Sequence, residues 1–147
     1  MVSLKDLAGK NSPTPEVVNR AFDLFVHALN NKISKIHRVR HLFYPGTLEQ
    51  FKRFGYDQSQ FEQELSGLQL HDRIYISGTC SKTTAIRALI HELSHFLFDM
   101  SDERKWERAV LKIEHRLFRK FSDAQKEILW SYVPRKCTLE NVDKEPK

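Results

Sequence analysis

Apolar positions recur at helical spacing in several stretches of the chain, and each stretch is bounded by residues that start or stop helices. Val17, Val18, Ala21, Phe22, Phe25, Ala28 and Leu29 share one helical face. Thr14 is placed as the N-cap of this helix and Pro15 at its first position, where the missing N–H costs nothing. Residues 33–44 read as extended chain running into the Pro45-Gly46 turn. Thr47-Leu48-Glu49-Gln50 has the pattern of a capping box opening a short helix through Phe54. A further short helix is predicted over 59–65, stopped by Gly67.

The period then changes. Leu68 to Leu70 and Arg73 to Ser77 read as two short strands around His71-Asp72, because Arg73-Ile74-Tyr75-Ile76 has β-branched and aromatic content. After Gly78 the helical period returns from Ser81 to Phe98, with Ala85, Ile86, Leu89, Ile90, Leu93, Phe96 and Leu97 on a broad buried face. Residues 99–102 form a turn. A long helix follows from Asp102 to Lys120 with Trp106, Ala109, Val110, Ile113 and Leu117 as its inner stripe, and Ser122-Asp123 caps a last helix that holds Ile128, Leu129, Trp130 and Tyr132. These elements predict an α+β domain, mostly helical, with a small sheet leading into the helix at 81–98. One domain is expected over residues 1–134. The first dozen residues and the polar tail 135–147 carry no apolar period and are expected to be unpacked.

Composition agrees with one globular core: 147 residues, 40% hydrophobic, 29% charged, with ten Phe, four Tyr and two Trp. No apolar run approaches the roughly 20 residues that span a bilayer. Met1 to Pro13 lacks the apolar segment of a signal peptide, so cytoplasmic action or leaderless export is the expectation. Two cysteines, Cys80 and Cys137, are too few for a disulfide scaffold. Cys80 reads as a small buried residue rather than a metal ligand.

The helix at 81–98 contains His91-Glu92-Leu93-Ser94-His95. Two histidines four residues apart sit about 40° apart on a helix and one turn along it. Both Nε2 atoms then reach one Zn²⁺, while Glu92, rotated by about 100°, flanks the metal and is placed to take a proton from a water that the metal activates. With seven His and eleven Glu, such an HExxH arises by chance in about 2–3% of chains of this composition. Its position on an amphipathic helix preceded by a strand makes the coincidence rarer. The reading is a zinc peptidase with His91 and His95 as ligands and Glu92 as general base, acting on a protein or peptide.

A catalytic zinc needs a third protein ligand. Asp102, Glu103, Glu107 and Glu114 all follow the motif, and spacing does not choose among them. Residues 81–102, SKTTAIRALIHELSHFLFDMSD, resemble the core of the aspzincin peptidases, the deuterolysin and lysine-specific endopeptidase group, and Arg73-Ile74-Tyr75-Ile76 resembles their strand. That resemblance covers about a third of the chain. It implies a zincin-like domain, Zn²⁺, base Glu92 and the ligand set His91, His95 and Asp102. The chain departs from the pattern where Met100-Ser101 replaces Gly-Thr and where the Tyr that donates to the oxyanion is absent; Tyr75, Tyr132 and His115 are the alternatives. Two other groups are similar in part. Trp106-Glu107-Arg108-Ala109 resembles the helix of phage-regulator metallopeptidases, which makes Glu107 the ligand. The SprT-like proteases suit the basic pI, with His115 as ligand. Phe98 and Ser101 stand where metzincins have Gly and His. By analogy with zincin clefts, substrate is expected to lie along 73–77 as an added strand.

The formal charge of +5 and pI near 9.3 leave nucleic acid open as a partner. Lys32, Lys35, His37, Arg38, Arg40 and His41 form the run weighed for phosphate contact. The basic residues of the helix at 102–120 are expected to pair with Glu at helical spacing and to be a solvated face. The alternative to a peptidase is therefore a basic binding module with a degenerate or structural zinc site.

Overall fold

A computed structural model of the chain describes residues 2–46, 53, 64–98 and 103–144. Among them are five α-helices: α1 (Leu4–Ala8), α2 (Pro15–Asn31), α3 (Lys82–Leu97), α4 (Glu103–Lys120) and α5 (Asp123–Ser131). Three strands, β1 (Lys35–Val39), β2 (Gly67–Leu70) and β3 (Arg73–Ser77), form one mixed sheet. The architecture is the α+β arrangement expected. The short helices predicted within 47–63 lie outside the described residues.

Strand β3 is central. It pairs in parallel with β1, Ile36 opposite Ile74, and antiparallel with β2, Leu68 opposite Tyr75. Strands β2 and β3 form a two-residue hairpin at His71-Asp72, in which His71 takes a left-handed φ of 55°. The alternation of β3 divides the core. Ile74 and Ile76 face the helices, while Tyr75 packs with Val39, Leu42 and Leu68 on the other face. This order corrects the expected substrate strand: residues 73–77 are hydrogen-bonded on both sides and offer no free edge. The edge beside α3 belongs to β2.

Helix α3 is the structural centre. It starts at the Ser81 cap, whose hydroxyl accepts from the Thr84 N–H, a contact worth about 1 kcal/mol. It packs on β2, β3, α2, α4 and α5, and Ala85, Leu89, Ile90 and Leu93 are fully buried. Helix α4 returns beside it and buries Val110, Ile113 and Leu117, each contributing about 1.5–3 kcal/mol by transfer from water. Among the described residues, no helix is long and apolar enough to cross a membrane.

Both ends of the chain are more ordered than their composition suggested. Ser3 and Asp6 make a reciprocal capping box that starts α1, Leu7 is fully buried, and the Arg116 guanidinium donates to the carbonyls of Leu7, Gly9 and Asn11. The tail expected to be unpacked from 135 is corrected for residues 135–144. Thr138 and Leu139 donate to the Arg38 carbonyl, Arg40 and His41 donate back to Leu139 and Glu140, and Leu139 and Val142 pack on the Tyr75 side of the sheet. A pair of apolar residues three apart is too little pattern to announce this in sequence, but it suffices where a sheet edge supplies the backbone partners.

Candidate metal centre

His91 and His95 project from one face of α3 with ring centroids 5.0 Å apart and planes at 59°. His95 is buried and His91 half-buried, and their Nε2 atoms point at one side chain of α4. One oxygen of Glu107 lies 2.9 Å from His91 Nε2 and the other 3.1 Å from His95 Nε2. One ligand atom from each of the three residues lies within 4.8 Å of the other two. Among the described residues this is the one group of three or more such side chains that could hold a metal ion. Two imidazoles and a carboxylate are the donors that suit Zn²⁺ with a position left open.

Glu114, two turns after Glu107, takes the other nitrogen of His91. Its Oε1 is 3.0 Å from His91 Nδ1, while Oε2 accepts from Arg87 Nε at 2.9 Å and lies 2.8 Å from Arg87 Nη2. Arg87 precedes His91 by one turn of α3, so cation, carboxylate and imidazole form a closed link between the two helices. A carboxylate on Nδ1 fixes the ring and presents the Nε2 lone pair to a metal. Burial pushes the His91 pKa down. The Glu114 hydrogen bond and the charges of Glu92, Glu107 and Glu114 outweigh it, so His91 titrates above its ordinary value. Burial likewise pushes Glu114 up, but His91 and Arg87 bring it below the usual carboxylate range. His95 is less supported: its buried Nδ1 has no hydrogen-bond partner among the described residues.

Glu92 is buried next to the ligands and lines a cleft of about 390 Å³ together with Tyr44, Leu65, Gly67, Leu68, His91, His95 and Glu107. Gly67, the first residue of β2, forms the opposite wall. A Cβ at this position would stand 3.1 Å from Glu92 Cγ and 3.2 Å from Glu92 Oε2, so β2 approaches the motif helix this closely because residue 67 has no side chain.

The structure therefore brings His91, Glu92 and His95 together as the spacing predicted. Asp102, the third ligand implied by resemblance, lies outside the described residues, as does the side chain of Glu103. Glu107 is the third side chain of the group that could hold a metal, and Glu114 holds His91 from behind. Cys80 is elsewhere: its thiol donates to the Ser77 carbonyl, and burial raises its pKa. None of the three alternatives for an oxyanion donor lines the cleft. Tyr75 is buried against His37, the Tyr132 hydroxyl donates to Asn30 Oδ1, and His115 is exposed on the outer face of α4. The phenol that does line it is Tyr44, 45% exposed, which sequence reading passed over because nothing in the turn at Pro45-Gly46 ties it to a helix forty-seven residues later. Comparison of the chain with protein-family models, with curated proteins and with solved structures gives no match.

Proposed function

We propose that the chain is a zinc-dependent peptidase that holds its metal with His91, His95 and Glu107 and uses Glu92 as general base. The observation that carries this reading is the convergence of two Nε2 atoms and one carboxylate in an open cleft, beside a buried glutamate that is not among the three. A buried, purely structural pair of histidines would not need a cleft. Zinc, when bound, lowers the pKa of a water and polarises a carbonyl. Glu92 accepts the proton of that water at its carboxylate and later delivers it to the departing amine. Tyr44 stands on the same cleft as a phenolic donor toward the developing oxyanion. The outer edge of β2 lies beside the motif helix and suits an extended peptide added antiparallel to it. The reading is tested by elemental analysis of the purified chain and by cleavage of unfolded casein. A metal-free protein that takes up no zinc on reconstitution would refute it.

Two consequences concern residues that do not touch the metal. Glu114→Gln removes the carboxylate from His91 Nδ1 and is expected to weaken zinc by about 10–100-fold, as outer partners of ligating histidines do. Chelator competition measures this. A proton competes with zinc for His91 Nε2, and Glu114, accepting from Nδ1, stabilises the doubly protonated ring. Zinc affinity of the wild type therefore falls as pH drops through the raised His91 pKa, and in Glu114→Gln the fall moves to lower pH. Gly67→Ala places a methyl against Glu92 and leaves the ligands alone. It is expected to retain full zinc and to lower kcat by about tenfold, less than the ~10²-fold that a 1 Å misplacement can cost. Unchanged kcat in Gly67→Ala would show that the wall of β2 does not position the base.

A further inference from the structure

Much of the basic run 32–41 is engaged by the rest of the fold, with Lys32 and Lys35 left exposed. Arg38 is buried, donating to the carbonyls of Ser77, Pro134 and Cys80 with its guanidinium over Trp130. His37 is buried against Tyr75, Arg40 pairs with Glu140, and His41 stands between Glu64 and Glu140. The run therefore offers a phosphate backbone chiefly Lys32 and Lys35 rather than six basic groups.

The outer face of α4 is the reverse. At 100° per residue, Arg108, Lys112, His115 and Arg119 fall within a sector of about 60°, opposite the buried Val110, Ile113 and Leu117. All four are exposed. The acids expected to neutralise them are turned away: Glu107 and Glu114 bond His91, His95 and Arg87 on the flank that faces α3. Among the described residues none of the four basic side chains makes an ion pair. The stripe runs about 16 Å at 1.5 Å per residue. At its C-terminal end lies a cavity of about 200 Å³ lined by Ser12, Arg116, Arg119 and Lys120, with no acid in its wall. Opposition of the helix dipole accounts for Arg119 and Lys120 in the last turn, but not for Arg108 and Lys112, two to three turns earlier.

We propose that this face of α4, with the cavity at its end, binds the phosphate backbone of nucleic acid. A linear row of Arg108, Lys112 and Arg119, without an ion pair among the described residues, fits a repeating phosphodiester. A membrane surface fits less well, because an interfacial helix needs an apolar face to insert, and that of α4 is already in the core; Leu111 is the large apolar side chain exposed beside the stripe. The metal cleft is on another flank of α4, so the chain docked this way keeps Glu107 and the cleft open. The proposal does not depend on the peptidase reading.

The test uses the full chain and a fluorescein-labelled DNA duplex of mixed sequence, about 20 base pairs long, followed by anisotropy between about 50 and 200 mM salt. Wild type is expected to bind with a log–log salt slope of about −3, one unit per phosphate neutralised. The combined variant Arg108→Gln, Lys112→Gln, Arg119→Gln should lose at least about tenfold in affinity and flatten the slope towards zero, with its circular dichroism and zinc content unchanged. Lys35→Gln with Arg40→Gln, and separately Glu92→Gln, should bind as wild type does. No binding by wild type at the lowest salt, or equal binding by the triple variant, would leave the stripe a solvated face and overturn the proposal. Tighter binding to vesicles containing phosphatidylserine than to the duplex, lost in the same variant, would also overturn it and assign the face to a membrane surface.

Discussion

Glu92→Gln leaves zinc bound and reduces hydrolysis by about 10²–10⁴-fold, the range that a positioned general base contributes. The expectation follows from where the carboxylate stands. Glu92 is buried between His91 and the wall of β2, on the cleft but not among the three residues whose ligand atoms converge. Gln keeps the size and most of the hydrogen-bonding capacity of Glu, so folding and metal uptake are expected to survive; the substitution removes only the ability to accept a proton. The measurement is a paired one, zinc per chain by elemental analysis and initial rate on casein. Zinc retained with the rate gone supports the base. Zinc retained with the rate intact would mean that the cleft hydrolyses nothing by this route, and any cleavage would belong to a contaminant or to another group. Loss of both zinc and fold would make Glu92 structural.

The parts of this protein that were legible in its sequence are those set by local rules. The Thr14-Pro15 start of α2, the Ser81 cap of α3, the Ser122 cap of α5 and the hairpin at His71-Asp72 each depend on residues within a turn or two of one another. So does the convergence of His91 and His95. What escaped depends on the angle between elements. Arg38 looked like a surface cation until β1 was laid parallel to β3, which puts the Ser77 and Cys80 carbonyls around its guanidinium. The tail at 135–144 had no pattern of its own, because a chain that completes a sheet edge is held by backbone bonds that any sequence can make. On α4, charge spacing suggested mutual neutralisation of Glu and Lys or Arg. The packing of α4 on α3 instead sorted the signs, drawing Glu107 and Glu114 inward to the histidines and leaving the cations outside.

The same dependence on helix packing bears on the proposed third ligand, and it gives the second large effect. Glu107→Ala is expected to weaken zinc by more than the ~10–100-fold of an outer-partner loss, because it removes a donor rather than its support. Asp102→Ala is expected to leave zinc near stoichiometric. Resemblance to the aspzincins favours Asp102; geometry favours Glu107, whose two oxygens already lie 2.9 and 3.1 Å from the two Nε2 atoms. A residue twelve positions after His95 gains this reach because α4 runs back beside α3, and the interval from Glu107 to Glu114 is seven residues, close to two full turns. One helical face therefore carries both the proposed ligand and the carboxylate that holds His91. Isothermal titration of the metal-free variants with zinc separates the cases. Weak binding by Glu107→Ala with wild-type binding by Asp102→Ala places the ligand on α4. The opposite result returns it to Asp102, and makes the Glu107 carboxylate a partner of the histidines only while no metal separates them.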